Sequence, residues 1–187
     1  LGWGDVILTL PLQLYQLYGD KEVLQANYEA MEEWMQSMER AAHELPSEAV
    51  PYGGSQTEQN CDERSLENQR YLINTGFHFG DWIIPSVVNE DGFTDGPASA
   101  FLTMNYVGSS LLAADADMFS EISELVGNME NAEKYCAYAN RVRQAFEEEY
   151  VSEDGKLGQE MQGNYILALR HHMVSPEKEP LLAERLN

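Results

Sequence analysis

Apolar residues along this chain recur at helical spacing, and strand-like alternation is scarce. Between residues 21 and 44, Leu24, Tyr28, Met31, Met35 and Met38 step by four, three, four and three, the period of one buried helix face. Glu32, Glu33, Glu39 and Arg40 fall on the other side and read as a solvated face. Residues 5–18 behave differently. Val6, Leu8, Leu10, Leu12, Leu14, Tyr15, Leu17 and Tyr18 spread apolar surface round most of a helix, which suits burial within a larger assembly. Pro11 predicts a kink or a late helix start there. Gly19 is placed to end that helix and Asp20 to cap the next.

The same pairing repeats downstream. Residues 97–126 read as a long helix opened by Pro97, rich in small residues in its first half, and ended by Gly127-Asn128. Residues 130–150 read as its partner, with Ala132, Tyr135, Cys136, Ala139, Val142, Arg143, Phe146 and Tyr150 along one side. A turn is expected at 152–158, a further helix at 160–173, and the beginning of another at 176–187. Between the pairs, residues 45–75 carry Pro46, Pro51 and Gly53-Gly54 and read as a long irregular loop or insertion. Residues 76–96 set Phe77, Phe79 and Trp82 among glycines, as in an ordered loop that lines something. One helix of each pair is apolar nearly all round and the other amphipathic. An inner and an outer ring of helices produce that alternation. The expected fold is all-α, one helical domain over residues 1–187, amounting to about half of a double-ring barrel.

Charge narrows the partners. The 187 residues hold 32 acids and 11 bases, a net charge of −21. Such a chain repels phosphate backbones and anionic membrane surfaces, so neither nucleic acid nor membrane is an expected partner. No apolar run approaches the roughly 18 residues of a membrane span. Cys61 and Cys136 sit in no zinc pattern. They read as free thiols, with a disulfide between them left open. No metal or cofactor is expected. Both ends fall inside motif-like stretches and look cut, so flanking segments of the same parent chain are expected, and localisation is left open.

Two clusters pair an indole with a carboxylate: Trp3 with Asp5, between glycines, and His78-Phe79-Gly80-Asp81-Trp82. Sugars are bound by such pairs, because aromatic faces stack on C–H faces and carboxylates accept hydroxyl hydrogen bonds. A lone tryptophan is more often core than ligand; two Trp–Asp pairs placed before helices favour a site. Three other features are weaker. Asp62-Glu63-Arg64 reads as solvated loop. His171-His172 point about 100° apart on a helix and read as a charge effect at a helix C-terminus rather than a metal site. Gln162 stands at the start of an inner-type helix. No Ser–His–acid pattern, phosphate loop or HExxH occurs.

Five blocks together resemble a known family. Gly2-Trp3-Gly4-Asp5, the run from Pro11 to Asp20, His78 to Trp82, Ala132 to Gly158, and Gln162 to Leu169 resemble a segment of the bacterial α-L-rhamnosidases of glycoside hydrolase family 78. The resemblance covers nearly the whole chain except 45–74. It implies an (α/α)6 barrel of the six-hairpin glycosidase type and inverting hydrolysis of terminal α-L-rhamnosides. In inverting enzymes one carboxylic acid protonates the leaving oxygen and a second carboxylate, about 6.5–9.5 Å away, activates water. The resemblance places that acid in an Asp-Glu-Arg-Leu-Gly-Trp stretch upstream of Trp3 and the base downstream of residue 187, so no catalytic residue is expected here. Asp62-Glu63-Arg64 echoes the acid motif without its Leu-Gly-Trp and in the wrong order. Carried over are Trp3, Asp5, His78, Asp81 and Trp82 as substrate contacts, with a rhamnose-containing glycoside as partner. Another helical-barrel glycosidase, or a non-catalytic sugar-binding helical domain, are the alternatives.

Overall fold

A computed structural model describes residues 2–43, 62–74 and 78–186. Seven helices are present among them: α1 (Val6–Tyr18), α2 (Glu22–His43), α3 (Glu63–Gln69), α4 (Gly96–Val126), α5 (Met129–Tyr150), α6 (Gln162–Arg170) and α7 (Glu179–Glu184). The described residues form no strand, only the isolated bridges Val88–Thr94 and Val151–Leu157.

Local signals set most of the boundaries. Gly19 ends α1 in the left-handed region (φ 70°), its N–H donating to the Tyr15 carbonyl. Asp20 Oδ1 then accepts from the Glu22 N–H (2.9 Å). Asp95 caps α4 by accepting from Ala98 N–H (2.9 Å), and Gly127 ends it at φ 94°. Asn128 caps α5 through the Asn131 N–H. Pro11 sits inside α1 without ending it.

The stripe expected on α2 is buried as read, with Leu24, Met31 and Met35 inside and Tyr28 and Met38 packed against the core. The α5 stripe is buried at Ala132, Tyr135, Ala139, Val142 and Phe146. Cys136, grouped with that side in the sequence, is instead an exposed free thiol; Cys61 lies outside the described residues. Of the stretch 45–75, residues 62–74 are described. They carry the short helix α3, started by Asp62 Oδ1 accepting from the Ser65 N–H (2.7 Å).

Helix α6 is shorter than the expected 160–173. Its chain turns at His172 (φ 53°), and the Met173 N–H donates to the Ala168 carbonyl (2.8 Å). That is the closing bond of a Schellman-type end, formed without the usual glycine. α7 likewise covers only part of 176–187.

Helix α4 is the spine. Its 31 residues extend about 46 Å, and its buried small residues, among them Gly108, Ser109, Ala113 and Ala116, admit neighbours closely. Helix α5 runs antiparallel to it: Phe119 meets Tyr135 edge-on (4.9 Å) and Tyr106 meets Tyr150 (4.9 Å). Helix α2 also runs antiparallel, Tyr28 Oη bonding Ser123 Oγ (2.8 Å) and Trp34 reaching Asp115. Helix α6 runs parallel, from Asn164 at the Leu102 carbonyl (3.2 Å) to His171 near Arg143. Helices α1, α4 and α6 thus form one parallel layer, and α2 and α5 pack behind it. On α1, Leu8, Pro11 and Leu12 are buried, while Val6, Leu10, Leu17 and Tyr18 stay exposed. Its apolar girdle is only partly covered by the described neighbours.

Phe119 stands where the two layers meet, fully buried and stacked on Tyr28 (5.2 Å). Phe119→Ala should cost about 3–5 kcal/mol of stability in chemical denaturation. Cys136→Ala on the exposed side should stay within about 0.5 kcal/mol of wild type.

Candidate functional site

The first candidate cluster forms the entry to α1. Gly2 takes φ 90°, and Gly4 lies so close beneath the Trp34 ring that a Cβ would fall 2.3 Å from it. This tight turn sends adjacent side chains opposite ways. Trp3 is 84% exposed, whereas Asp5 is 7% exposed and accepts a hydrogen bond from the Gly2 N–H. Beside Asp5 lies Asp115 of α4, completely buried. Trp34 Nε1–H donates to Asp115 Oδ2 (3.0 Å). Burial, and then the neighbouring Asp5 carboxylate, push the Asp115 carboxyl up to about 8, against the opposing hydrogen bond from Trp34.

Trp3, Asp5 and Asp115 line a cavity of about 580 Å³ that also takes in Val6, Thr9, Leu111 and Met118. Its far wall is polar and cationic. Arg143 of α5 pairs with Asp117 and donates from Nε to the His171 carbonyl (3.1 Å); Arg170, His171 and His172 border the same space. Burial, and then Arg170 and Arg143, hold the His171 imidazole below its ordinary range. This differs from the raised value that a helix C-terminus alone favours. An exposed indole face, buried carboxyls and guanidinium donors round one cavity suit a small polyhydroxylated ligand.

The second cluster lies on the connection into α4. Gly80 (φ 55°) brings the backbone against Thr103 and Met104, and the Asp81 N–H donates to Thr103 Oγ1 (2.8 Å). The exposed Asp81 carboxylate stands beside Gly163 in the first turn of α6, where a negative charge is favoured. Trp82 is half-buried over Gly96 and meets Phe79 edge-on (5.2 Å). His78 packs against Gly108, with Nε2 lacking a hydrogen-bond partner, and burial holds its imidazole down at about 4.

The two clusters are strung along α4 rather than gathered in one pocket. The cavity at Trp3 and Asp5 is not lined by His78, Asp81 or Trp82. Asp81 meets α4 at Thr103, His78 at Gly108 and Asp5 at Asp115, a span of about 18 Å. Gln162 is exposed at the start of α6, and Asp62, Glu63 and Arg64 are exposed at the start of α3. Among the described residues no group of three or more His, Cys, Asp or Glu side chains is arranged to hold a metal ion, and no helix is long and apolar enough to cross a membrane. The sequence reading missed Asp115, Asp117, Trp34 and Arg143. Two aspartates inside the otherwise apolar run Leu111–Phe119 were the available signal.

His78 generates a prediction. The unfolded chain takes up a proton near pH 6.5 and the folded one only near 4, so stability should fall as pH drops through that window and level off below it. His78→Gln should remove that component from melting temperatures measured between pH 7 and 4; an unchanged slope would rule it out.

Comparison with known proteins places this architecture. The family model described as the bacterial alpha-L-rhamnosidase 6 hairpin glycosidase domain matches residues 1–186. An alpha-L-rhamnosidase of Streptomyces avermitilis is 26% identical over 185 residues, 99% of this chain and 14% of the relative. One of Formosa agariphila is 27% identical over 187 residues, 99% of this chain and 16% of the relative. The chain thus spans about one sixth of the length of such relatives. Among solved structures, S. avermitilis alpha-L-rhamnosidase complexed with L-rhamnose superposes with a TM-score of 0.68 at 24% identity, covering 99% of this chain and 14% of that one. The native Aspergillus terreus enzyme gives 0.68 at 24% identity, with 98% and 18% covered; these likenesses carry the fold. The parallel layer of α1, α4 and α6 backed by α2 and α5 is therefore part of a six-hairpin helical barrel, and the chain belongs to the bacterial α-L-rhamnosidase six-hairpin glycosidase family.

Proposed function

We propose that this chain supplies part of the sugar-pocket wall of an enzyme that hydrolyses terminal α-L-rhamnosides with inversion, the general acid and general base lying outside residues 1–187. The observation that carries the reading is the cavity at the start of α1, where an open indole adjoins buried carboxyls in a chain of this family. The Trp3 face stacks on the C–H face of a sugar ring. Asp5, immobilised by the Gly2 N–H, accepts from ring hydroxyls and fixes their orientation. His78, Asp81 and Trp82 are proposed contacts farther along α4, where substrate extends beyond the terminal sugar. Asp5 and Asp115 are not assigned to acid–base work, because they touch each other and leave no room for a glycosidic oxygen and a water between them, and Asp117, the third carboxylate of the cavity, is paired with Arg143.

Two measurements test this. The 187-residue chain should show no turnover of an aryl α-L-rhamnoside; turnover abolished by Glu63→Gln would instead give Asp62-Glu63-Arg64 the acid role. In the full-length protein carrying this chain, Trp3→Ala should raise KM for that substrate about tenfold through lost stacking. A full-length protein that prefers another aryl glycoside in a panel would overturn the substrate assignment.

A further inference from the structure

The buried contact between α1 and α4 holds two acids where one charge is affordable. Asp5 and Asp115 are each more than nine-tenths buried, both border the cavity, and each leaves Oδ1 without a hydrogen-bond partner. Their remaining oxygens are engaged, Asp5 Oδ2 by the Gly2 N–H and Asp115 Oδ2 by Trp34 Nε1–H. Two adjacent buried carboxylates repel each other and forfeit hydration, whereas one proton between them satisfies both orphaned atoms.

We propose that Asp115 is a positioning residue that shares one proton with Asp5, fixing the Asp5 carboxyl at the cavity wall with a single negative charge for the pair. The role for Asp5 rests on the sugar-pocket reading; the shared proton does not. The proton resides on Asp115, because Trp34 donates to its far oxygen and leaves Oδ1–H to donate to Asp5 Oδ1. Asp5 then keeps its remaining lone pairs for hydroxyl donors entering the cavity. The groups facing the pair are few. From α1 there is Asp5 itself, and from α2 the indole of Trp34. Arg143 of α5, engaged with Asp117 of α4, and Arg170, His171 and His172 at the end of α6 border the same cavity.

The test uses the full-length protein, two variants at Asp115 and one at Asp5. With ¹³C-labelled aspartate, infrared spectra at pH 6.5 should contain a protonated-carboxyl band that disappears in Asp115→Asn and shifts in frequency in Asp5→Asn, where the carboxylate that accepts the proton is lost. Asn at 115 stays neutral, donates its amide N–H to Asp5 and accepts from Trp34. Its Kd for L-rhamnose should therefore remain within about twofold of wild type, whereas Asp115→Ala should weaken binding about tenfold or more. Wild-type affinity should fall as pH passes about 8, and that of Asp115→Asn should not. Absence of the band, or an Asn variant as weak as the Ala variant, overturns the proposal. If Ala prevents folding, the band and the Asn variant decide. If the wild type shows the band and binds no L-rhamnose, the sugar-pocket reading fails and the shared proton stands.

Discussion

Close packing on α4 is the constraint from which the rest of the structure follows. Its small residues let α2 and α5 lie against one side, and the aromatic rings of Phe119, Tyr135, Tyr106, Phe146 and Tyr150 fill the seam. A larger residue at Gly108 would collide with His78 and Ile73, and interiors at this density tolerate little such strain. The same closeness sets the site. Gly108 admits His78, and the smallness of Gly4 admits Trp34, whose indole reaches Asp115 at the cavity. Fold and site are therefore not separable along this helix.

The polar chemistry is concentrated where packing leaves a gap. The chain is strongly acidic overall, yet Arg143, Arg170 and two histidines converge on one cavity opposite Asp5 and Asp115. Arg143 spans α4 and α6 by pairing with Asp117 and holding the carbonyl of His171, so the cationic wall is fixed by the barrel contacts rather than by a loose surface pair. A neutral, hydroxyl-rich ligand can use both walls, donating to one and accepting from the other.

Much of this was legible in the sequence. The 24, 28, 31, 35, 38 stripe of α2 is a local property, and its burial follows from helical period alone. The signals at Gly19, Asp20 and Gly127 use residues with known backbone or hydrogen-bonding preferences. The end of α6 was not legible, because His172 takes the left-handed position that glycine usually marks. Cys136 was misplaced because the buried face of α5 is narrower than the apolar run suggested. The candidate site was half legible. Trp3 and Asp5 announce themselves by type and flanking glycines. Asp115 gains its character from burial against Trp34 and then from Asp5, over a hundred residues away. The distance between the two Trp–Asp clusters is likewise a property of α4's length, which no motif spacing encodes.

The central claim is that the start of α1, braced on α4, forms the wall against which the terminal sugar sits. Its most direct test is a crystal structure of the full-length protein soaked with L-rhamnose. The account predicts the sugar ring stacked on Trp3, with a hydroxyl within hydrogen-bond distance of Asp5 and with Trp34 still donating to Asp115. A sugar bound elsewhere in the barrel, touching neither Trp3 nor Asp5, would contradict it.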